Sequence, residues 1–222
     1  MGKNTDMRST AGSRSLDKKG QGWHSEESPR RARPEVKRSV VLWFTGLPAS
    51  GKSTICRAVE ERLRAAGCRT LFLDGDEIRR DLSRDLTFSL LDRRENMRRV
   101  GELLKLVKGD RLVALAAFIS PLRAHREYIR SAVEAENFVE IYCKCPLEVC
   151  VERDRKGNYL RARAGTLKEF TGISSPYEES ELPDLTLDTA ALAVDACVEK
   201  VLVLPAVGKA IRDAAGKQNH VD

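Results

Sequence analysis

Gly46-Leu47-Pro48-Ala49-Ser50-Gly51-Lys52-Ser53 fits the pattern G-x-x-x-x-G-K-[ST]. The chemistry of that pattern is the holding of a nucleoside triphosphate. Its glycines let backbone N–H groups converge on phosphate oxygens, and a helix that begins at the loop adds a partial positive charge. In such a loop Lys52 neutralises the β and γ phosphates, the Ser53 hydroxyl ligates Mg²⁺, and Thr54 is expected among the ATP-binding residues with the rest of the loop. The plainer reading is a glycine-rich turn with an exposed lysine. Against it, the segment follows an apolar run and opens a helical one, as phosphate binding requires. The loop alone does not separate a kinase from a GTPase or a motor. Base-recognition signals of the Asn-Lys-x-Asp type are absent, and the chain is short for a motor, which leaves a small kinase.

Two further groups have the right chemistry for an acceptor. Asp74-Gly75-Asp76 follows a second apolar run. Carboxylates at the C-terminal edge of a parallel strand sit beside a nucleotide crevice. One of them is placed to orient or deprotonate an attacking hydroxyl, or to hold Mg²⁺; equally, either caps a helix starting near Glu77. Arg93 and Asn96 are three residues apart at the start of a helical pattern and share a face. Together they suit a phosphate or sulfate and a base or sugar, although arginines on a helix are often only solvated.

The elements that must position these groups alternate between strand and helix. Continuous apolar runs at 39–45, 69–73, 111–119, 138–143 and 185–188 read as buried parallel strands. Helices are expected over 52–66, ended by Gly67, over 91–108, after Pro121, from Pro146, and over 191–204. The expected fold is α/β: a three-layer sandwich around a mostly parallel five-stranded sheet, of the P-loop kinase type. Residues 153–182 are charged, rich in glycine and proline and poor in apolar side chains, and read as a mobile lid over the domain at 38–222. Residues 1–37 hold nine basic and five acidic side chains and almost no aliphatic ones, and read as a disordered basic arm.

Composition narrows the function. The chain has 222 residues and a net charge of +6, which fits an anionic partner. Aromatic residues are 5% of it and the cations are spread along the chain, so nucleic acid is not an expected partner. No run approaches the roughly 18 apolar residues of a membrane span, and no secretory signal opens the sequence. Six cysteines without CxxC spacing read as reduced, buried thiols of a cytoplasmic protein. A zinc site near Cys143 and Cys145 is the lesser reading.

Asp74-Gly-Asp-Glu-Ile-Arg79 resembles the D-G-D-N-[VI]-R segment of adenylylsulfate kinases. So do Asp85-Leu-Thr-Phe88-Ser89, Asp92-Arg93-Arg-Glu-Asn96, Ala117-Phe118-Ile119-Ser120-Pro121, Glu152-Arg153-Asp154 and Phe170-Thr-Gly172, in order and over about residues 38–204. The resemblance implies transfer of the ATP γ-phosphoryl group to the ribose 3′-hydroxyl of adenosine 5′-phosphosulfate, the second activation step of sulfate assimilation, with Mg²⁺ and in a homodimer. It implies that Phe88 and Phe170 sandwich the acceptor adenine and that the Ile119 backbone reads the base. Arg79, Arg93 and Asn96 would hold the phosphosulfate and its neighbours beside Asp74. Asp76 would act on the 3′-hydroxyl and share the metal with Ser53. Arg153 and Lys168 of the lid would face the nucleotides. The resemblance also carries a phosphorylated intermediate at Ser120, whereas direct in-line transfer needs none and Ser120 then only ends its strand.

This chain departs from the family pattern at Glu77, at Arg80-Asp81-Leu82-Ser83 and at Thr87, which stands where the family has glycine. These changes add bulk and charge beside the acceptor. Two other functions therefore stay open: a small P-loop kinase with a different acceptor, and a nucleotide-binding regulatory module without turnover.

Overall fold

Alternation within each strand divides the core into two faces. In β1 (Val40–Thr45), Val41 and Trp43 point one way, Leu42 and Phe44 the other, and all four are buried. The computed structural model describes residues 39–106 and 111–218. Among them β1 lies at the centre of a five-stranded sheet of order β2-β3-β1-β4-β5, with β2 (Thr70–Asp74), β3 (Val113–Ala117), β4 (Phe138–Lys144) and β5 (Leu185–Asp188). Every pairing is parallel.

Helices cover both faces, as parallel strands require. On one side, Leu42, Phe44, Leu115, Ile141 and Leu187 meet α1 (Lys52–Ala65), α7 (Val194–Leu202) and α8 (Pro205–Gln218) through Val59, Leu63, Val198, Val201 and Val207. On the other, Val41, Trp43, Ala114 and Ala116 meet α3 (Leu90–Leu106) and α4 (Arg123–Ala132) through Val100, Leu104, Ile129 and Val133. Each fully buried Leu, Val or Ile stabilises the fold by about 1.5–3 kcal/mol. The expected three-layer α/β sandwich is the fold observed.

The structure refines the expected elements. The third strand is confined to Val113–Ala117, and the expected closing helix is α7, followed by a further helix, α8, from Pro205 that the sequence reading did not include. Two short helices, α2 (Gly75–Arg80) and α5 (Leu147–Glu152), follow β2 and β4. The 153–182 segment carries α6 (Asn158–Arg163), whose Tyr159 and Ala162 are buried, so it is not the featureless excursion its composition implies. The arm at 1–37 and the expected end of α3 at Lys108 lie outside the described residues. All six cysteines are free and buried, and burial pushes Cys143 and Cys150 up to about 12. Cys143 packs in the α1 side of the core while Cys145 packs with Cys150 and Tyr159, so the two do not form a zinc pair. No described helix is long and apolar enough to cross a membrane.

Candidate active site

The crevice at the carboxyl end of β1, where β3 and β4 flank it, opens into a cavity of about 1230 Å³. Its base is the 46–53 loop. Gly46 has φ 147°, and a Cβ there would lie 2.5 Å from the Cys143 carbonyl oxygen and 2.7 Å from Ser50 Oγ. Only glycine lets the loop pass that close to β4. Gly51, at φ 89°, begins α1 without a side-chain cap, and the first turn holds no acidic residue, which leaves the helix terminus electropositive. Pro48, Ala49, Gly51, Lys52, Ser53 and Thr54 line the cavity, whereas Gly46, Leu47 and Ser50 shape the loop from behind. The loop is braced from two sides: Tyr159 donates to the Pro48 carbonyl at 3.0 Å and Thr189 Oγ1 to the Ser50 carbonyl at 3.0 Å.

Lys52 is 8% exposed and donates to the Leu47 carbonyl at 2.6 Å. Burial lowers its pKa, with partial opposition from neighbouring acidic groups. Ser53 Oγ donates to Asp74 Oδ2 at 2.7 Å, and Asp74 Oδ1 accepts the Asp76 amide at 2.8 Å. Asp74 thus caps α2 and faces Ser53 at once. Asp76, expected beside Ser53, instead forms an ion pair with Lys156.

Facing the loop across the cavity are the acceptor candidates Arg79, Phe88, Arg93, Asn96, Ile119, Lys168 and Phe170. Arg93 is 6% exposed and donates to the Phe88 carbonyl at 2.8 Å, to Thr171 Oγ1 at 3.1 Å and to the Glu169 carbonyl at 2.5 Å, joining α3 to the 167–171 segment. Arg79 lies over the Phe88 ring at 4.4 Å. Burial lowers the pKa of both arginines, which remain cations. Phe88 is 47% exposed. Phe170 differs: it packs edge-on against Tyr159 at 4.9 Å, so it anchors its segment as well as lining the cavity. Asn96 Oδ1 and His125 Nδ1 are buried without a hydrogen-bond partner, and both residues line the cavity.

Ser120 is 3% exposed, with φ 37°. Its hydroxyl accepts from Trp43 Nε1 at 3.1 Å and donates to Thr45 Oγ1 at 2.9 Å, while Thr45 donates to the Ile119 carbonyl at 2.9 Å. Arg126 holds this corner from below, donating to the Ser120 carbonyl at 2.8 Å and the Glu178 carbonyl at 2.9 Å and pairing with buried Glu140 at 3.0 Å. Ser120 lies three residues past the end of β3, so it does not end the strand as expected; it is a buried, hydrogen-bonded corner between β3 and α4. Arg153 donates to the Thr189 carbonyl at 2.9 Å and lines the cavity.

Sequence reasoning missed Lys156, Tyr159, Thr171, Thr189 and His125. Lys156 sits four residues before Leu160 in a stretch of alternating charge, where nothing distinguishes a cavity lysine from a solvated one. Tyr159 carried a signal: an aromatic ring within the charged and small residues of 153–163.

The hard oxygen donors Ser53 and Asp74 fit a magnesium ion completed by phosphate and water. Among the described residues, no three His, Cys, Asp or Glu side chains gather as a metal cage.

A parallel sheet of this order, with a glycine-rich lysine loop running from its central strand into α1 and cations facing that loop, defines a P-loop kinase. Residues 38–188 match the family model for adenylylsulphate kinase. An adenylyl-sulfate kinase of Prochlorococcus marinus is 48% identical over 182 residues, 81% of this chain and 90% of that protein. The structure of the Mycobacterium tuberculosis APS kinase in complex with AMPPNP and APS is similar at a TM-score of 0.71 and 40% identity, covering 74% of this chain and 96% of that one. A hexameric APS kinase from Thiobacillus denitrificans matches at a TM-score of 0.57 and 34% identity, over 77% of this chain and 29% of its own length. The chain belongs to the adenylylsulphate kinase family and is an ATP-dependent phosphotransferase.

Proposed function

We propose that this protein transfers the γ-phosphoryl group of ATP to the 3′-hydroxyl of adenosine 5′-phosphosulfate, releasing ADP and 3′-phosphoadenosine 5′-phosphosulfate. The observation that carries this reading is the pairing, across one cavity, of the Lys52 loop with an acceptor wall of Arg79, Phe88, Arg93 and Asn96. The wall offers cations for a phosphosulfate, an exposed ring for a base and an amide for polar edges.

Phosphoryl transfer depends mainly on positioning and charge stabilisation. Lys52 and the α1 terminus hold the β and γ phosphates. Ser53 and Asp74 are the residues to hold magnesium, which when bound supplies neutralising charge to those phosphates. Asp76, in the first turn of α2, orients the 3′-hydroxyl and takes its proton as the new oxygen–phosphorus bond forms and the bond to the ADP oxygen breaks. Lys156 turns from Asp76 to the incoming anions. Arg79 and Arg93 take the phosphosulfate, and Phe88 and Phe170 face the adenine. Ser120 keeps its proton within the Trp43–Thr45 network, so transfer is direct. Lys168 and Arg153 add charge along the 153–182 segment, which acts as a lid.

The alternative, a nucleotide-binding module without turnover, leaves unexplained why Lys52, Asp76 and Arg93 line one cavity. The test is product identity. Incubation with ATP, magnesium and adenosine 5′-phosphosulfate should give a 3′-phosphorylated product by mass spectrometry and phosphorus NMR. Phosphate at another position, or on another acceptor only, would overturn the assignment. A homodimer and a cytoplasmic location belong to the same proposal; sedimentation at micromolar concentration tests the first.

A further inference from the structure

The Thr87 departure from the family pattern has a structural counterpart. Thr87 Oγ1 donates to Asp92 Oδ2, and the Thr87 amide donates to the same oxygen at 2.9 Å. Ser89 closes the device: its amide donates to Thr87 Oγ1 at 3.2 Å, and its hydroxyl accepts the Asp92 amide at 3.1 Å. Two of these four bonds need a hydroxyl at position 87. A glycine there would keep only the backbone bond to Asp92 and the Ser89–Asp92 bond.

The device sits immediately before Phe88, whose other restraints come from the two cations that the acceptor needs. Arg79 donates to the Thr87 carbonyl at 2.7 Å and lies over the Phe88 ring. Arg93 donates to the Phe88 carbonyl and approaches the ring at 5.6 Å. A phosphosulfate competes for these guanidinium donors, because charge-assisted hydrogen bonds to an anion are stronger than bonds to a neutral carbonyl. When Arg79 turns to the anion, the Thr87 carbonyl loses its partner. The restraint left on this turn is the one that Asp92 provides from the first turn of α3, where a carboxylate is also favoured by the helix terminus.

We propose that Thr87 and Asp92 are positioning residues for the acceptor: they hold the Phe88 ring in place while Arg79 and Arg93 are released to bind the acceptor's anionic groups. The pair pre-organises the base platform, so less ordering is required on binding. Its effect falls on the acceptor alone, because the nucleotide loop lies across the cavity. This inference rests on the proposed acceptor.

The test is steady-state kinetics of the full chain. Thr87→Val removes the hydroxyl and keeps size and backbone. It should raise the KM for adenosine 5′-phosphosulfate by about three- to tenfold, the range expected for one lost capping interaction, with the KM for ATP unchanged and a small fall in melting temperature. Thr87→Ser should restore the acceptor KM to within about twofold of wild type. Asp92→Asn should act in the same direction, and the double variant Thr87→Val with Asp92→Asn should be no worse than the more affected single variant, since both break one unit. Overturning results are an acceptor KM within about twofold of wild type in Thr87→Val, an equal rise in both KM values, or fully additive effects in the double variant. Wild-type enzyme inactive toward this acceptor would instead remove the functional reading beneath it.

Discussion

The Lys156 ammonium lies 2.5 Å from Asp76 Oδ2, so the turn before α6 is tied to the first turn of α2 across the mouth of the cavity. Both side chains are largely exposed, at 69% and 70%, and a pair of this kind adds little to folding. In the proposed function the pair places a cation next to the candidate base where the two substrates would meet. Lys156→Ala should leave the melting temperature unchanged and lower kcat/KM for the acceptor by about tenfold or more. A variant with wild-type kinetics would reduce the pair to a surface contact.

Lys52→Ala should lower turnover by more than about a hundredfold, the effect of losing a positioned charge at the transferring phosphoryl group. Because Lys52 also holds the Leu47 carbonyl, a modest fall in melting temperature is expected with it. Stopped-assay turnover near wild type would remove the loop from the chemistry.

Phe88 and Phe170 should separate. Phe88→Ala removes an exposed ring and should raise the acceptor KM by about five- to a hundredfold, the range of one base–aromatic stack, with unchanged stability. Phe170→Ala also removes the contact to Tyr159, which itself braces Pro48, so it should lower the melting temperature and disturb ATP binding too. Separate calorimetric titrations of the two ligands distinguish the variants. Identical profiles would contradict the geometry.

Much of this arrangement was legible in the sequence. Apolar runs such as 40–45 and 138–143 gave the central strands because parallel strands are buried on both faces. The glycine–lysine loop placed the nucleotide because its chemistry is local. What stayed hidden depends on distant partners. The Arg126–Glu140 pair joins a helix to a strand, and the Lys156–Asp76 pair joins residues eighty apart. The helix α6 is one and a half turns long and owes its place to Tyr159 in a small cluster with Cys145 and Cys150. Phe170 read as an exposed ligand platform because its neighbours in sequence are polar, while its neighbours in space are not.

The acceptor segment should show an acid transition. Arg99 bonds Asp85 through both oxygens and also bonds Glu95, tying residues 82–85 to α3. Hydrogen bonds from Arg99 hold Asp85 down to about 2, and those from Arg98 and Arg99 hold Glu95 down to about 2, from ordinary values of 3.8 and 4.5. Depressed carboxylates contribute stability above their unfolded values and lose it as pH falls through the folded ones. The stability difference between wild type and Arg99→Gln should therefore shrink between pH 4.5 and about 2 and stay constant from pH 5 to 8. A difference that persists below pH 2 would place the contribution of Arg99 elsewhere.

The measurement that tests the central claim most directly is coupled ADP release with magnesium-ATP, with and without adenosine 5′-phosphosulfate. The proposed function predicts slow release alone, strong stimulation by this acceptor, little by other hydroxylated acceptors such as simple sugars or nucleosides, and loss of the stimulated rate in Lys52→Ala. Release that is indifferent to adenosine 5′-phosphosulfate, or stimulated only by another acceptor, would contradict it.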